Sequence, residues 1–137
     1  MAKYNESAEN YLETILMLSK KLPVVRSVDI ATELGFKKSS VSVAMKNLKE
    51  KEHITVTDAG FIYLTDSGRR IAEMIYERHE ILTSCLKTLG VDAAVAEEDA
   101  CKIELVISEE SFQALKRAVH ELREQQESAK EDAADQA

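Results

Sequence analysis

The stretch Ser27 to Leu64, SVDIATELGFKKSSVSVAMKNLKEKEHITVTDAGFIYL, decides how the rest of the chain is read. Ser27 is a candidate cap for a short helix with Val28, Ile30, Ala31 and Leu34 on its buried side, and Gly35 turns the chain after it. Phe36 anchors that turn. Ser39 or Ser40 offers a cap for a second helix, in which Val41, Ala44, Met45 and Leu48 fall at helical spacing. Two runs rich in β-branched and aromatic residues follow, Ile54 to Thr57 and Phe61 to Leu64. Asp58-Ala59-Gly60 between them is a hairpin signal, with Gly free to take a positive φ. Helix, glycine turn, helix and hairpin in this order predict a helix-turn-helix with a wing.

The second helix has a face that its core does not use. Lys37, Lys38, Ser39, Ser40, Ser42, Val43 and Lys46 lie there, a mixture of cations, hydroxyls and one apolar contact that suits insertion into the major groove of double-stranded DNA. Lys37, Lys38 and Lys46 would neutralise phosphates, while Ser40, Ser42 and Val43 would reach base edges. The net charge of −7 argues against nucleic acid only until it is divided. Residues 1–70 hold 11 Lys and Arg against 9 Asp and Glu, whereas the remainder holds 7 against 16. The acidity lies away from the proposed reading head.

Outward from this unit the chain reads as helical. Of 137 residues 45% are hydrophobic, and only one Pro and four Gly interrupt them, which predicts a mostly α protein. Asn5 to Lys20 is an amphipathic helix that Asn5 or Ser7 can start, with Glu6, Glu9, Asn10, Glu13 and Thr14 on its polar face. Thr65 caps a long helix from Asp66 to about Thr88 that Gly90 stops. Asp92 to Ile107 forms the next, and Ser108 caps the last, which frays or becomes disordered from Glu124 onward. The expected organisation is a winged helix-turn-helix domain at 1–72, a C-terminal helical dimerisation domain at 73–125, and an acidic flexible tail at 126–137. The later helices are too short to enclose a core alone, which predicts a homodimer.

Other classes recede. No apolar run approaches the roughly 20 residues that cross a bilayer, and MAKYNESAEN has no signal-peptide core, so a cytoplasmic protein without membrane contact is expected. Cys85 and Cys101 are then thiols. No Gly-rich phosphate loop, Ser-His-Asp set or paired-carboxylate cleft marks an enzyme. His53 and His120 read as surface residues.

Three helices carry groups at ligand spacing. Asn10 and Glu13 are three apart on the first, Cys101 and Glu104 are three apart on the fifth, and His79 lies on the long helix between them. Imidazole, thiolate and carboxylate together suit a divalent first-row transition metal, and the thiolate moves the expectation from Mn²⁺ towards Fe²⁺, Co²⁺ or Zn²⁺. Spacing alone favours a plainer account, with His79 structural, Glu104 solvated and Cys101 a small buried hydrophobe.

Several segments carry a resemblance that shifts this balance: Glu9-Asn-Tyr-Leu-Glu-Thr-Ile15, Ser39-Ser-Val-Ser42, Leu64-Thr-Asp-Ser-Gly68, Arg78-His79-Glu80, Leu89-Gly-Val-Asp92 and Asp99-Ala-Cys-Lys-Ile-Glu104. Over nearly its whole length the chain resembles the iron- and manganese-dependent repressors of the diphtheria-toxin-repressor type, in particular the short manganese-regulator branch without an SH3-like domain. The resemblance implies a homodimeric repressor binding a pseudo-palindromic operator. It also implies Fe²⁺ or Mn²⁺ as cofactor, one position per subunit, with Glu13, His79, Cys101 and Glu104 as ligands and Asn10 as a weak oxygen ligand. Asn10 stands where the family has Asp or Met, Leu105 where it usually has His, and Thr83 where the iron branch has a carboxylate. These departures imply that a second metal position is crippled or lost. Ser39 and Glu52 replace a usual Pro and Gly. The alternatives are a winged-helix dimer that is constitutive or governed by a small ligand, and a helical protein-interaction module.

Overall fold

The computed structural model describes residues 7–135. Six helices and one two-stranded sheet follow in the order α1 (Ala8–Lys21), α2 (Ser27–Leu34), α3 (Lys38–Glu50), β1 (Ile54–Val56), β2 (Ile62–Leu64), α4 (Asp66–Thr88), α5 (Ala93–Ile103) and α6 (Glu109–Asp135). The protein is mostly α, as its shortage of breakers predicts, and the winged helix-turn-helix is present. Contacts divide the chain into two compact units, Met1–Glu77 and Arg78–Ala137, so α4 begins in the first and ends in the second.

The first unit is built on one apolar cluster. Leu12, Ile15 and Leu16 of α1, Ile30 and Leu34 of α2, Val41, Met45 and Leu48 of α3, and Ile54 and Ile62 of the wing are all buried in it. Tyr11 meets Phe36 edge-on at 5.9 Å between ring centroids, which anchors the α2–α3 turn. Gly35 makes that turn with φ 69. The wing pairs antiparallel with Ile54 opposite Leu64 and Val56 opposite Ile62. Ile62 N–H also donates to Val25 O at 2.8 Å, tying the hairpin to the connection before α2.

Local chemistry departs from the sequence expectations at several ends. Ser7 caps α1, its Oγ accepting from Asn10 N–H at 3.2 Å, while Asn5 lies outside the described residues. Ser27 does not cap α2. Arg26 occupies that position, and its N–H donates to Asp29 Oδ2 at 2.9 Å, so the acid three residues on satisfies the helix start instead. Neither Ser39 nor Ser40 caps α3, because the helix begins earlier, with Lys37 at its cap and no side-chain hydrogen bond. Val28, placed on the buried side of α2 by spacing, is exposed. Helix α5 ends at Ile103 rather than Ile107, and a turn follows. The last helix continues to Asp135 past the loss of apolar periodicity, with every residue from His120 on exposed.

A knot of polar bonds joins α3 to α4 beneath the wing. Glu52 takes φ 62, its N–H donating to Lys49 O and the His53 N–H to Leu48 O, which together close a Schellman turn on α3. Thr65 caps α4 as expected, its Oγ1 accepting from Gly68 N–H at 3.3 Å and donating to Glu52 O at 2.7 Å. His53 is not a free surface residue: its Nδ1 shares a 3.0 Å hydrogen bond with Ser67 Oγ. A Cβ on Gly68 would overlap the His53 carbonyl, which explains the glycine in Leu64-Thr-Asp-Ser-Gly68 by close approach.

The second unit is leaner. Among the described residues its apolar cluster has Ile81, Phe112 and Val119 as fully buried members, with Cys85 and Ile107 packed against them. Gly90, at φ 96, ends α4, and Asp92 and Ser108 cap α5 and α6 through hydrogen bonds to Ala94 N–H and Ser111 N–H.

Candidate metal centre and nucleic-acid interface

In the second unit three donors converge. His79 projects from α4, Cys101 from the last turns of α5, and Glu104 from the cap just past α5. His79 Nδ1 lies 3.1 Å from Glu104 Oε2 and 3.7 Å from Cys101 Sγ, and one donor atom from each of the three falls within 4.8 Å of the others. Glu104 is 2% exposed, so its carboxylate needs a partner, and the imidazole supplies one. The Cys101 thiol and then the Glu104 carboxylate raise the His79 pKa from 6.5 to about 10, against the opposing effect of burial. Without metal the imidazolium holds the two acceptors together.

The donor set fits a metal. A tetrahedral ion bound at about 2.0 to 2.3 Å separates its ligand atoms by roughly 3.3 to 3.8 Å; the His79–Cys101 distance of 3.7 Å falls in that range, the His79–Glu104 distance of 3.1 Å is slightly shorter, and all three donor atoms lie within 4.8 Å of one another. Thr83 lies one turn beyond His79 on α4. Its Oγ1 is buried without a hydrogen-bond partner among the described residues, and it offers only a neutral oxygen. Leu105, half-buried, offers no lone pair.

Asn10 and Glu13 belong to the first unit. Both are buried on α1, a face that its polar composition marks as outward in the sequence, and Thr14 beside them is satisfied by donating to Asn10 O at 2.8 Å. The cluster of three does not include them.

The α3 surface is free for another partner. Lys37, Lys38, Ser39, Ser42, Val43 and Lys46 are exposed and Ser40 is half-buried. Because no side chain caps α3 and no acid occupies its first turn, its first N–H groups and the lysines at its start present one positive end. Capping would have occupied Ser39 or Ser40; instead both hydroxyls remain available.

Arg78, which the sequence offers only as part of Arg78-His79-Glu80, has a role that the sequence reading did not assign. Its Nη1 donates to Glu104 O at 3.2 Å and Ile107 O at 3.0 Å, and its Nη2 to Glu109 Oε2 at 2.8 Å. The guanidinium also lies over the Phe112 ring at 5.5 Å.

Comparison with known families decides the relationship. Residues 3–59 match the model for the iron dependent repressor N-terminal DNA binding domain, and residues 65–132 match that for the iron dependent repressor metal binding and dimerisation domain. The chain belongs to the iron-dependent repressor family. Within that family it is 31% identical over 115 residues to the transcriptional regulator MntR of Escherichia coli O6:H1, a match covering 84% of this chain and 74% of that one. Among solved structures it resembles a manganese-dependent transcriptional repressor in complex with manganese, with 25% identity and a TM-score of 0.77 over 83% of this chain. IdeR of T. acidophilum is similar at 26% identity and a TM-score of 0.73 over 82% of this chain. The chain spans 53% of the length of each of these two regulators. Family members are transcriptional regulators, and the matched domains place DNA reading at the front of the chain and metal binding at the back.

Proposed function

We propose that this protein is a homodimeric, metal-responsive transcriptional repressor that reads a pseudo-palindromic operator with α3. The convergence of His79, Cys101 and Glu104 carries the reading, since a buried carboxylate, a thiol and an imidazole at ligand spacing suit a divalent transition ion better than they suit a packed core. These residues would hold the ion, and the ion would supply a fixed multivalent charge that joins the middle of α4 to the end of α5. Fe²⁺ and Mn²⁺ follow from the family, and the thiol adds Co²⁺ and Zn²⁺ as competent ions. The family resemblance adds Glu13 and Asn10 to the set; metal affinities of Glu13→Gln and Asn10→Ala test their membership.

Lys37, Lys38 and Lys46 contact phosphates, Ser40, Ser42 and Val43 face base edges, and Ser39 lies exposed on the same surface. Exposed Leu89, Val95, Val106 and Leu122 on the second unit provide apolar surface for a second copy. The protein acts by binding rather than catalysis, and in the cytoplasm. Among its described residues no helix is long and apolar enough to cross a membrane.

Selection of duplexes from a random pool, followed by mobility shift with chelator and then with each ion, tests the proposal. Metal is expected to tighten binding by about 5- to 150-fold, equivalent to roughly 1–3 kcal/mol of coupling. Replacing both Lys37 and Lys38 with Ala removes four phosphate contacts from the dimer and should lower the salt slope by about 4. Chelator-insensitive binding would favour the constitutive or small-ligand alternative.

A further inference from the structure

We infer that Arg78 is the positioning residue of this centre: it grips the backbone at Glu104 and so sets the carboxylate beside His79 and Cys101. The inference rests on the metal reading above. Cys101 is held by α5 itself, but α5 ends at Ile103, and Glu104 begins the turn that leads to α6. A carboxylate on such a turn is only as well placed as the turn. Two backbone bonds, Val106 N–H to Ile103 O and Ile107 N–H to Ile103 O, close its middle, while the carbonyls of Glu104 and Ile107 face Arg78.

Arg78 meets both carbonyls with one nitrogen and uses the other on Glu109, which opens α6. One planar group therefore fixes the end of α5, the turn and the start of α6. Its side chain is 11% exposed, so these bonds are little shared with water. Arg78 and His79 are consecutive on α4. The helix that presents the imidazole to the Glu104 carboxylate thus also presents the guanidinium to the Glu104 carbonyl, and Glu104 is held at both ends.

Lysine cannot reproduce this. An ammonium has no fork to span two carbonyls and a carboxylate at once. Glu109 is the least important of the three acceptors, because it is mostly exposed and its bond bears on α6 rather than on Glu104.

The test is a double-mutant cycle in the full chain, read by Co²⁺ affinity and absorption together with thermal unfolding. Arg78→Gln should weaken Co²⁺ binding about 10- to 100-fold, as loss of a group supporting a metal ligand does elsewhere. At saturation the sulfur-to-metal absorption of Cys101 should persist while the ligand-field bands shift. Arg78→Lys should restore only part of the affinity, and Glu109→Gln should change it little. In a Glu104→Gln background, Arg78→Gln should cost no further affinity, although it lowers thermal stability in both backgrounds. Equal losses of affinity in the two backgrounds would overturn the inference, as would wild-type affinity and spectrum in Arg78→Gln. If Arg78→Gln fails to fold, Arg78→Lys carries the same cycle. Failure of the wild type to bind Co²⁺, Fe²⁺, Mn²⁺ or Zn²⁺ would sink the metal reading and this inference with it, whereas binding insensitive to Arg78 sinks the inference alone.

Discussion

The two units of this chain are stabilised by different means. In the first, fifteen buried apolar residues among those described, from α1 to α4, the wing and the connection before α2, share one cluster. In the second, three do, and a buried carboxylate, an imidazole, a thiol and a guanidinium lie where more apolar side chains would otherwise be. Apolar burial is insensitive to protons and ions, whereas polar clusters respond to both. Apart from Asn10, Glu13 and Thr14, buried on α1, the described interior of the reading head is apolar and keeps its shape, whereas the small core of the second unit leaves more of its stability to groups that respond.

The largest expected effect tests that contrast directly. Leu12→Ala, at a site 1% exposed among large neighbours, should destabilise the first unit by about 3–4 kcal/mol, because the rigid surroundings leave a cavity. Val119→Ala in the thinner cluster should cost about 1–2 kcal/mol, since fewer methylenes are lost and the neighbours can relax. Urea unfolding followed by hydrogen exchange reads the two units separately. Similar losses, or a larger one at Val119, would erase the difference in core density.

A second expectation concerns protons. The His79 pKa rises from 6.5 unfolded to about 10 folded, so the folded state holds the proton more tightly. The stabilisation is complete below pH 6.5 and declines above it, disappearing as pH climbs through about 10. Metal reverses the trend. An ion must displace that proton, so its apparent affinity should rise at least about tenfold per pH unit below the folded pKa. Titration calorimetry in buffers of differing ionisation enthalpy counts the proton released. Metal affinity independent of pH would mean that His79 is no ligand and that the second unit responds to protons alone.

Legibility in the sequence follows the same division. Helices, wing and glycine turns of the first unit could be read because apolar periodicity and turn residues are local signals, and Thr65 and Ser108 cap where they were expected to. Capping at α2 and α3 could not, since Arg26 and Lys37 are poor caps by type; Asp29 serves α2 from within the helix, and α3 goes without. Of the ligand set proposed from spacing and resemblance, His79, Cys101 and Glu104 come together within one unit, whereas Asn10 and Glu13 belong to the other. Arg78 enters the sequence reading only within Arg78-His79-Glu80, without a role, because two of its partners are main-chain carbonyls and the third a carboxylate, all more than twenty residues away, which no local pattern announces.

The smallest effect sets one turn from each unit side by side. Helices α3 and α4 both close with Schellman bonds, Glu52 and His53 N–H to Lys49 and Leu48 O, and Gly90 and Val91 N–H to Lys87 and Leu86 O. In the second unit the left-handed position is Gly90, and a side chain there would be strained. In the first it is Glu52, the only described residue other than glycine with positive φ. Its tolerance has a local cause, because the Glu52 carbonyl accepts from Thr65 Oγ1 and Ser67 Oγ, and these bonds hold the residue where its Cβ would rather not be. Its acid also lies at the negative end of α3. Glu52→Gly keeps every one of those backbone bonds and relieves both penalties, at the expense of extra freedom in the unfolded chain. A net gain of about 0.5–1 kcal/mol is expected by thermal unfolding. A loss of stability would mean that the Glu52 side chain itself supports the wing, and that the strain is balanced by a contact rather than by the Thr65 and Ser67 bonds.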